Sequence, residues 1–281
     1  MNERKLSASI LADYDRWLRQ EERADATREK YLRSIRAFAA WLGGAAVTKD
    51  AVTEWKSQLV KRRQAPSTVN TALAALNGLF CFLGWEDCRA KFLKVQRRIF
   101  RAPERELTRA EYAGLLTTAK NSGDAWLALL MESICATGIR VSEVKFLTVE
   151  AAQCGRAEIT LKGKIRTILL PAKLCRKLLK YAKKQKIARG EIFLTTGGKG
   201  MDRRQIWSAM KRLCRKAGVA PSKVFPHNLR HLFATAYYRV YRDIVKLADM
   251  LGHSSIETTR IYLVESGAEH QRQLDRLGLI T

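Results

Sequence analysis

The sequence predicts a mostly α-helical fold with a small antiparallel β-sheet, in which a helical N-terminal domain precedes a larger α+β domain. Apolar residues recur at helical spacing through most of the 281 residues, and alternation of apolar and polar residues is confined to residues 157–170. A basic stretch that ends near Pro103 interrupts the periodicity and divides the chain. A chain of this length can bury two separate cores.

Composition narrows the class of protein. The hydrophobic content of 47% is ordinary for a globular chain, and no apolar run approaches the length that spans a bilayer. The N-terminus lacks the apolar segment of a signal peptide, so we expect a cytoplasmic protein without a membrane partner. The six cysteines form no CxxC pair, which argues against a zinc cage and, in the cytoplasm, against disulfides.

Positive charge is the strongest compositional signal. The formal net charge is +25, and residues 162–242 hold 22 lysines and arginines against two acidic residues. Such a one-sided surface repels itself unless it meets a polyanion, so nucleic acid is the expected partner. The competing interpretation is a basic protein of the ribosomal kind, whose charges are merely solvated.

The N-terminal domain is predicted to comprise residues 1–85. Four stretches have helical periodicity, at 6–20, 26–42, 48–62 and 66–83. A basic linker is predicted at 86–104. We predict that basic side chains of the domain and the linker contact DNA, with a solvated face as the alternative, namely Arg28, Arg33, Lys61, Arg62, Arg63, Arg97 and Arg98.

The second domain, predicted at 105–264, opens with two helices, of which the second ends before Gly138. The sequence ATGIRVSEV follows. We expect it to hold Arg140 in a tight turn between that helix and another one that Ser142 caps. A surface arginine that only satisfies helix carbonyls would have the same pattern.

Residues 157–170 are predicted to form a β-hairpin with Gly163-Lys164 at its tip. The hairpin places Lys162 and Lys164 at or beside the turn, where a rigid support can insert a lysine into DNA. A hairpin lysine is ordinarily only solubilising. Two strongly basic helices are predicted next, and we assign further DNA contacts to the hairpin and to the second of these helices, at Arg166, Arg203 and Arg204.

The helix predicted at 226–241 places His227 and Arg230 on one face. His227 and His231 have the spacing of a metal pair, but the glutamate of a metalloprotease helix and further ligands are missing, so no metal site is expected. Three tyrosines of this helix are rival candidates for a nucleophile, although aromatic residues in a helix are usually core: Tyr237, Tyr238 and Tyr241.

A histidine and a tyrosine flank the start of the last predicted helix. Gly252 closes the preceding helix, so that His253 leaves a helix C-terminus. Ser254 and Glu257 form a capping-box pattern that starts the next helix. Tyr262 is then expected about two turns into it.

Taken in order, these motifs resemble the tyrosine recombinase family. The set comprises ATGIRVSEV, a lysine in a β-hairpin, HNLRH, and LGHSS with a tyrosine nine residues after its histidine. It extends over essentially the whole chain, and the compact arrangement is most similar to the Xer-like members. The resemblance implies a supporting acidic residue at Glu143 and catalytic residues at Arg140, Lys162, His227, Arg230, His253 and Tyr262.

The resemblance also implies an architecture and an activity. Residues 1–85 would form a SAM-like core-binding domain, 105–264 the catalytic domain, and 265–281 a tail that docks on a neighbouring subunit. The implied enzyme recombines double-stranded DNA at specific sites through a 3′-phosphotyrosyl bond, as a homotetramer on two sites. Integration, excision, inversion and resolution, for instance of a mobile element, are all compatible outcomes.

One departure from the family concerns the general acid. The hairpin is about one residue shorter than the family's GKGxKxR pattern, which leaves Lys164 as the alternative to Lys162. No GxxxxGK[ST] motif is present either, so no nucleotide cofactor is expected.

The chemistry can also be argued from the residue types. Arg140 and Arg230 are permanently charged forks that suit the transition state of a phosphodiester. Free tyrosine has a pKa near 10, so its ionisation at pH 7 costs about 4 kcal/mol and needs a base, for which His227 is the candidate. His253 would donate a hydrogen bond to the phosphate, and a hairpin lysine would protonate the leaving 5′ oxygen.

Three other functions share part of this pattern. A type IB topoisomerase has similar chemistry but relaxes DNA as a monomer. A DNA-binding regulator would keep the charge without needing all six residues in order. A basic RNA-binding protein would carry an RNP-type aromatic motif, which the sequence lacks.

Overall fold

Helix caps and apolar periodicity give the chain a largely helical structure. The computed structural model describes residues 4–94, 103–161, 164–262, 272 and 275–277. The chain divides into two compact units, Met1–Arg97 and Arg98–Thr281. Within the described residues it forms twelve α-helices and one two-stranded antiparallel sheet, which confirms the predicted fold class.

The described residues of the N-terminal unit form four α-helices whose bounds lie close to the predicted ones. They are α1 (Ala8–Gln20), α2 (Asp25–Leu42), α3 (Lys49–Lys61) and α4 (Pro66–Phe82). The hydroxyl groups of Ser7 and Thr48 cap α1 and α3, and Pro66 occupies the first turn of α4, where its missing N–H costs nothing. Aromatic side chains fill the core, including Tyr14, Phe38, Trp55 and Phe80.

The segment 86–94 packs on this unit, although the sequence predicted that it begins a linker. Cys88 is fully buried in the N-terminal core. The side-chain amides of Asn77 and Asn70 each donate to and accept from one backbone residue of the segment, Ala90 and Leu93 respectively, over 2.8–3.0 Å. These amides satisfy the extended backbone as a neighbouring strand would, so the packed unit continues past the predicted boundary at 85.

The described residues of the second unit form eight α-helices and the hairpin. They are α5 (Arg109–Asn121), α6 (Ala125–Thr137), α7 (Val149–Cys154), β1 (Arg156–Leu161), β2 (Lys164–Leu169), α8 (Ala172–Lys184), α9 (Arg203–Ala217), α10 (Pro226–Tyr241), α11 (Ile244–Leu251) and α12 (Ile256–Arg260). No described helix is long and apolar enough to cross a membrane.

The hairpin has the alternation that the sequence predicted. Ala157, Ile159 and Ile168 face the core, whereas Ile165 and Leu169 are exposed on the other side. Leu161 pairs with Lys164, so residues 162–163 connect the strands, and these two residues lie outside the described part of the chain.

The helix predicted after Arg140 differs from the one observed. A 3₁₀ helix, Val141–Phe146, follows Arg140 in place of an α-helix capped by Ser142. Its first turn is satisfied by the carboxylate of Glu143, which accepts from the backbone N–H of Arg140 at 2.7 Å.

The last helix also differs from its prediction. Ser255, and not Ser254, caps α12 by accepting from the N–H of Glu257. The helix ends at Arg260, and the N–H of Tyr262 bonds to the carbonyl of Thr259 in a tighter turn. Tyr262 therefore lies in a turn just after the helix.

Candidate active site

The site forms where two helices end at glycines. Gly138 follows α6 with φ +67°, and Gly252 follows α11 with φ +62°, a left-handed conformation that glycine adopts at low cost. The carbonyl groups at such helix ends carry partial negative charge. Three arginine side chains converge on them.

Arg230, on the second turn of α10, is the most deeply buried of these arginines. It is 2% exposed, and its guanidinium donates to the carbonyls of Gly138 and Leu251 and contacts Nε2 of His253. Burial lowers the pKa of Arg230, and the positive charge of Arg140 lowers it further. The two helix ends compensate the buried charge, so the guanidinium remains in place as a fixed cation.

Arg140 is the accessible cation of the site, with 41% of its side chain exposed. Its Nη1 lies 3.0 Å from Oε1 of Glu143, and Nη2 makes a long contact of 3.5 Å to the carbonyl of Gly252. Glu143 has 3% of its side chain exposed and binds both the side chain and the backbone of Arg140. The structure thus holds Arg140 at one edge and leaves other donors open.

Arg166 belongs to the same cluster, although the sequence analysis assigned it to the DNA surface. It extends from β2, donates from Nη2 to Oε2 of Glu143, and donates from Nη1 to the carbonyl of Met250 at 3.1 Å. Only 16% of its side chain is exposed. Burial lowers the pKa of Arg166, while the charge of Glu143 opposes that change.

His253 is held as a neutral ring between two partners. Its Nε2 lies 2.9 Å from Nη2 of Arg230, and its Nδ1 lies 2.9 Å from the hydroxyl of Thr259. An arginine only donates, so Nε2 must accept and the ring proton resides on Nδ1. Burial, followed by the charges of Arg230, Arg140 and Arg166, lowers the pKa of His253 to about 4.

This hydrogen bonding bears on the role that the resemblance implies for His253. A donor to phosphate needs a proton on the nitrogen that faces the phosphate. In this state Nε2 is an acceptor from Arg230, and Nδ1 is used by Thr259. Donation from Nε2 to a phosphate therefore requires that this hydrogen bond be exchanged.

Tyr262 lies inside the site with 3% exposure. Its ring centre is 5.9, 5.1 and 5.8 Å from the ring centres of His227, His231 and His253, and its hydroxyl interacts electrostatically with the Arg230 guanidinium. The rivals Tyr237 and Tyr238 are partly buried beside the apolar cluster that contains Tyr262, with Tyr237 against Phe233 and Tyr241 and with Tyr238 under Arg242. Tyr241 is 64% exposed. Geometry therefore favours Tyr262 among the candidates.

The two candidate lysines are described incompletely. Lys162 lies outside the described residues, and Lys164 is described only as the first backbone position of β2. The strand register places the backbone of Lys164 next to the hairpin connection.

Apart from Arg166, the predicted DNA contacts fall into three groups. Arg28 is held by Asp15 and Asp25, with 13% of its side chain exposed, so its guanidinium is committed within the N-terminal unit. Arg97 and Arg98 lie outside the described residues. The others are exposed at the surfaces of their own units: Arg33, Lys61, Arg62, Arg63, Arg203 and Arg204.

Sequence reasoning missed three contributors to this site. Alternation with Ile168 places Arg166 on the inward face of β2, and this signal was available from the sequence. Thr259 is fully buried against His253, but a threonine in a short helix carries no such signal. The ring of His231 contacts Tyr262, and Nδ1 of His231 bonds to Thr235. From the sequence, His231 was interpreted only as a candidate metal ligand.

The cluster has a surplus of positive charge. Among the described residues the cluster contains three guanidinium groups, of Arg140, Arg166 and Arg230, and one carboxylate, that of Glu143, which pairs with Arg140 and Arg166. The low pKa of His253 keeps its ring neutral. Fixed donors around such a surplus suit an anion of phosphate type. Fold and site together define a protein that presents a tyrosine beside a cluster of fixed positive charges.

Comparison with known proteins identifies the family. The phage integrase family model matches residues 105–268, and the model of the phage integrase N-terminal SAM-like domain matches residues 10–82. Tyrosine recombinase XerC of Roseiflexus castenholzii is 31% identical over 93% of this chain and 84% of its own. Tyrosine recombinase XerA of Pyrococcus furiosus is 26% identical over 100% of this chain and 98% of its own. The chain therefore belongs to the phage integrase family and is a tyrosine-type site-specific DNA recombinase.

Solved structures share the fold. The Tn1549 transposon integrase in complex with transposon right end DNA has a TM-score of 0.72 and 18% identity, covering 96% of this chain and 99% of that one. A lambda integrase tetramer bound to a Holliday junction has a TM-score of 0.75 and 19% identity, covering 93% of this chain and 78% of that one.

Proposed function

We propose that the protein cuts and rejoins double-stranded DNA through a covalent 3′-phosphotyrosyl bond to Tyr262. The position of Tyr262, beside Arg230 in a site with a surplus of positive charge, carries this proposal. A phosphodiester has one negative charge, and charge builds up on its oxygens as a nucleophile attacks. Fixed guanidinium donors stabilise that charge more in the transition state than in the ground state.

The reaction is a transesterification. Oη of Tyr262 attacks the phosphorus, the bond from phosphorus to the 5′ oxygen breaks, and the 3′ end becomes joined to the tyrosine. The phenolic proton passes to His227, whose ring is adjacent. A proton from Lys162, with Lys164 as the alternative donor, completes the leaving 5′-hydroxyl. Attack by the 5′-hydroxyl of another strand reverses these steps, so no ATP is consumed.

Tyr262 must change partners when DNA binds. Its hydroxyl interacts electrostatically with the Arg230 guanidinium, which we assign to the phosphate. A phosphate that takes this guanidinium releases the hydroxyl and brings the phosphorus next to it. The same exchange frees Nε2 of His253 from Arg230, so that a donor role for His253 belongs to the DNA-bound state.

The proposed partner is double-stranded DNA at specific recombination sites, bound by a homotetramer on two sites. The net charge of +25 and the fold shared with integrases solved on DNA support this assembly. The exposed basic residues of both units, such as Arg33 and Arg203, would contact phosphates. We place the activity in the cytoplasm, in the rearrangement of a mobile element.

A nicked suicide duplex tests the proposal, because the short strand released by cleavage diffuses away and traps the covalent complex. DNA that flanks the gene supplies the candidate site, since recombinases of mobile elements commonly act beside their own coding sequence. We expect a covalent band on a denaturing gel with the wild type and with Tyr241→Phe, and none with Tyr262→Phe, which still binds DNA. A covalent band with Tyr262→Phe would assign the nucleophile to another residue.

A further inference from the structure

We propose that Arg166 is a positioning residue that connects the lysine hairpin to two other parts of the site. One connection is to Glu143, which in turn binds Arg140, and the other is to the turn that carries His253. The inference rests on the proposed function, because it assigns Arg166 a part in the same reaction. It replaces the DNA contact that the sequence predicted for this residue.

The contacts of Arg166 connect three separate elements. Its backbone belongs to β2, Nη2 bonds to Glu143 in the 3₁₀ helix, and Nη1 bonds to the carbonyl of Met250 near the end of α11. The side chain lies on the inward face of the strand, two residues before the buried Ile168. Arg166 is thus a bridge between the hairpin and the rest of the site.

The backbone of Gly252 fits closely against this bridge. A Cβ atom on Gly252 would lie 2.6 Å from both Cδ and Nη1 of Arg166 and 2.9 Å from Nε, which real Cβ atoms do not tolerate. The guanidinium therefore packs directly on the residue that precedes His253. A displacement of Arg166 leaves a gap at this turn, and a displacement of the turn disturbs Arg166.

Glu143 is shared between two arginines. Oε1 receives Nη1 of Arg140, while Oε2 receives Nη2 of Arg166 and the backbone N–H of Arg140. Without Arg166, Arg140 is the cation among the described residues that remains paired with this buried carboxylate. We expect Arg140 then to be drawn further onto Glu143, which misaligns its donors for the transition state while its charge stays in the site.

A lysine cannot reproduce the bridge. The guanidinium donates in two directions at once, to a carboxylate and to a helix carbonyl, whereas an ammonium is a single point of charge. Arg166→Lys therefore keeps the charge and loses one of the two connections. Arg166→Met loses both the charge and the connections. The matched control is Arg156→Met, because Arg156 is exposed at the far end of the same hairpin.

Three measurements on the full-length chain test the proposal. Single-turnover cleavage should fall at least tenfold in both Arg166 variants and stay within twofold of wild type in Arg156→Met. A 5′-bridging phosphorothiolate, whose thiolate leaves without a proton, should recover part of the loss, because the hairpin lysine is one of the groups misplaced. DNA affinity and its dependence on salt should not change in the Arg166 variants, since the side chain does not contact phosphate.

Histidine NMR provides a readout that needs no catalysis. The charge of Arg166 lowers the pKa of His253, so Arg166→Met should raise it, whereas Arg166→Lys and Arg156→Met should leave it near the wild-type value. Cleavage that is lost in Arg166→Lys while the His253 pKa is kept would show that geometry, and not charge, is required.

Two outcomes would overturn the proposal. If the number of counterions released on DNA binding, measured from the salt dependence of affinity, is smaller by about one in Arg166→Met than in wild type, Arg166 is a phosphate contact. Normal cleavage by Arg166→Lys would show that the bridge is dispensable. Because this variant keeps the charge, it still tests the proposal if Arg166→Met does not fold. Absence of a covalent adduct with wild type would instead contradict the proposed function, while the NMR result would still report on the bridge.

Discussion

Arg230 and His253 are bonded in a way that keeps the histidine neutral. Nη2 of Arg230 lies 2.9 Å from Nε2 of His253, and Thr259 fixes the ring from the opposite side. A proton added to Nε2 would break this bond and place two cations in contact. The relationship links the protonation of His253 to the stability of the fold.

Acid should therefore destabilise the protein through His253. Its pKa is about 4 in the folded chain and near 6.5 in an unfolded one, so the unfolded state binds the proton more tightly. The stability that His253 contributes is fully present above pH 6.5 and is lost as pH falls towards 4. Urea unfolding at pH 7 and pH 4.5 should show a smaller loss in His253→Gln, which cannot titrate. Equal losses in the two proteins would contradict the prediction.

Gly138 should tolerate a side chain much less well than Gly155. Both residues follow helices with φ near +70°, so alanine costs roughly 1 kcal/mol of backbone strain at either position. At Gly138 the new Cβ would also lie 2.5 Å from Cδ1 of Phe233 and 3.0 Å from Cδ2 of Leu251, whereas nothing lies within 4 Å at Gly155. Overpacking of this kind adds about 1–3 kcal/mol.

Activity should separate these two glycines as well. The carbonyl of Gly138 accepts from Arg230, so a shifted backbone displaces the buried guanidinium. We expect Gly155→Ala to cleave DNA normally and Gly138→Ala to lose most of its cleavage, with urea midpoints measured on both. A Gly138→Ala protein as stable and active as Gly155→Ala would show that Phe233 and Leu251 can move aside.

The helices were predictable because their signals are local. Apolar spacing, Pro66 and Pro226 in first turns, and Gly138 and Gly252 after last turns all act within a few residues. The predicted pairing of the hairpin strands follows from alternation for the same reason.

Longer-range contacts explain what the sequence did not predict. The backbone of 86–94 is satisfied by Asn70 and Asn77 on α4, a pairing that no periodicity reveals. Arg28 donates to the carboxylate of Asp15, thirteen positions earlier, so its guanidinium is not available at the expected DNA surface. Arg166 was assigned from its charge alone, although its inward position in the strand indicated burial.

Lys162 and Lys164 make opposite predictions in one assay. If Lys162 is the general acid, Lys162→Ala should slow cleavage strongly with an ordinary 5′ oxygen and much less with a 5′-bridging phosphorothiolate. Lys164→Ala then serves as the control, with a smaller loss that the sulfur substitution does not recover. Recovery seen only in Lys164→Ala would show that the shortened hairpin places the second lysine at the leaving group.

The final prediction concerns the tail from Glu265 to Thr281. Its sequence has a flexible Ser266-Gly267 joint, followed by a short apolar stripe of Leu274, Leu277 and Ile280. Leu277 belongs to the described residues and is 59% exposed, so in the single chain this leucine is not covered. An apolar stripe that is too small to form a core must be buried against another surface. If each tail docks on the neighbouring subunit, head to tail, four subunits close a ring.

Deletion of residues 268–281 should therefore separate binding from assembly. The shortened protein keeps every described residue of the site, so it should bind a single DNA site with normal affinity. It should fail to form the two-site complex and fail to exchange strands, while Leu277→Asp should reproduce the defect in the full-length chain. Native gels with one and two DNA sites measure both steps, and a normal two-site complex from the shortened protein would mean that the tail packs on its own subunit.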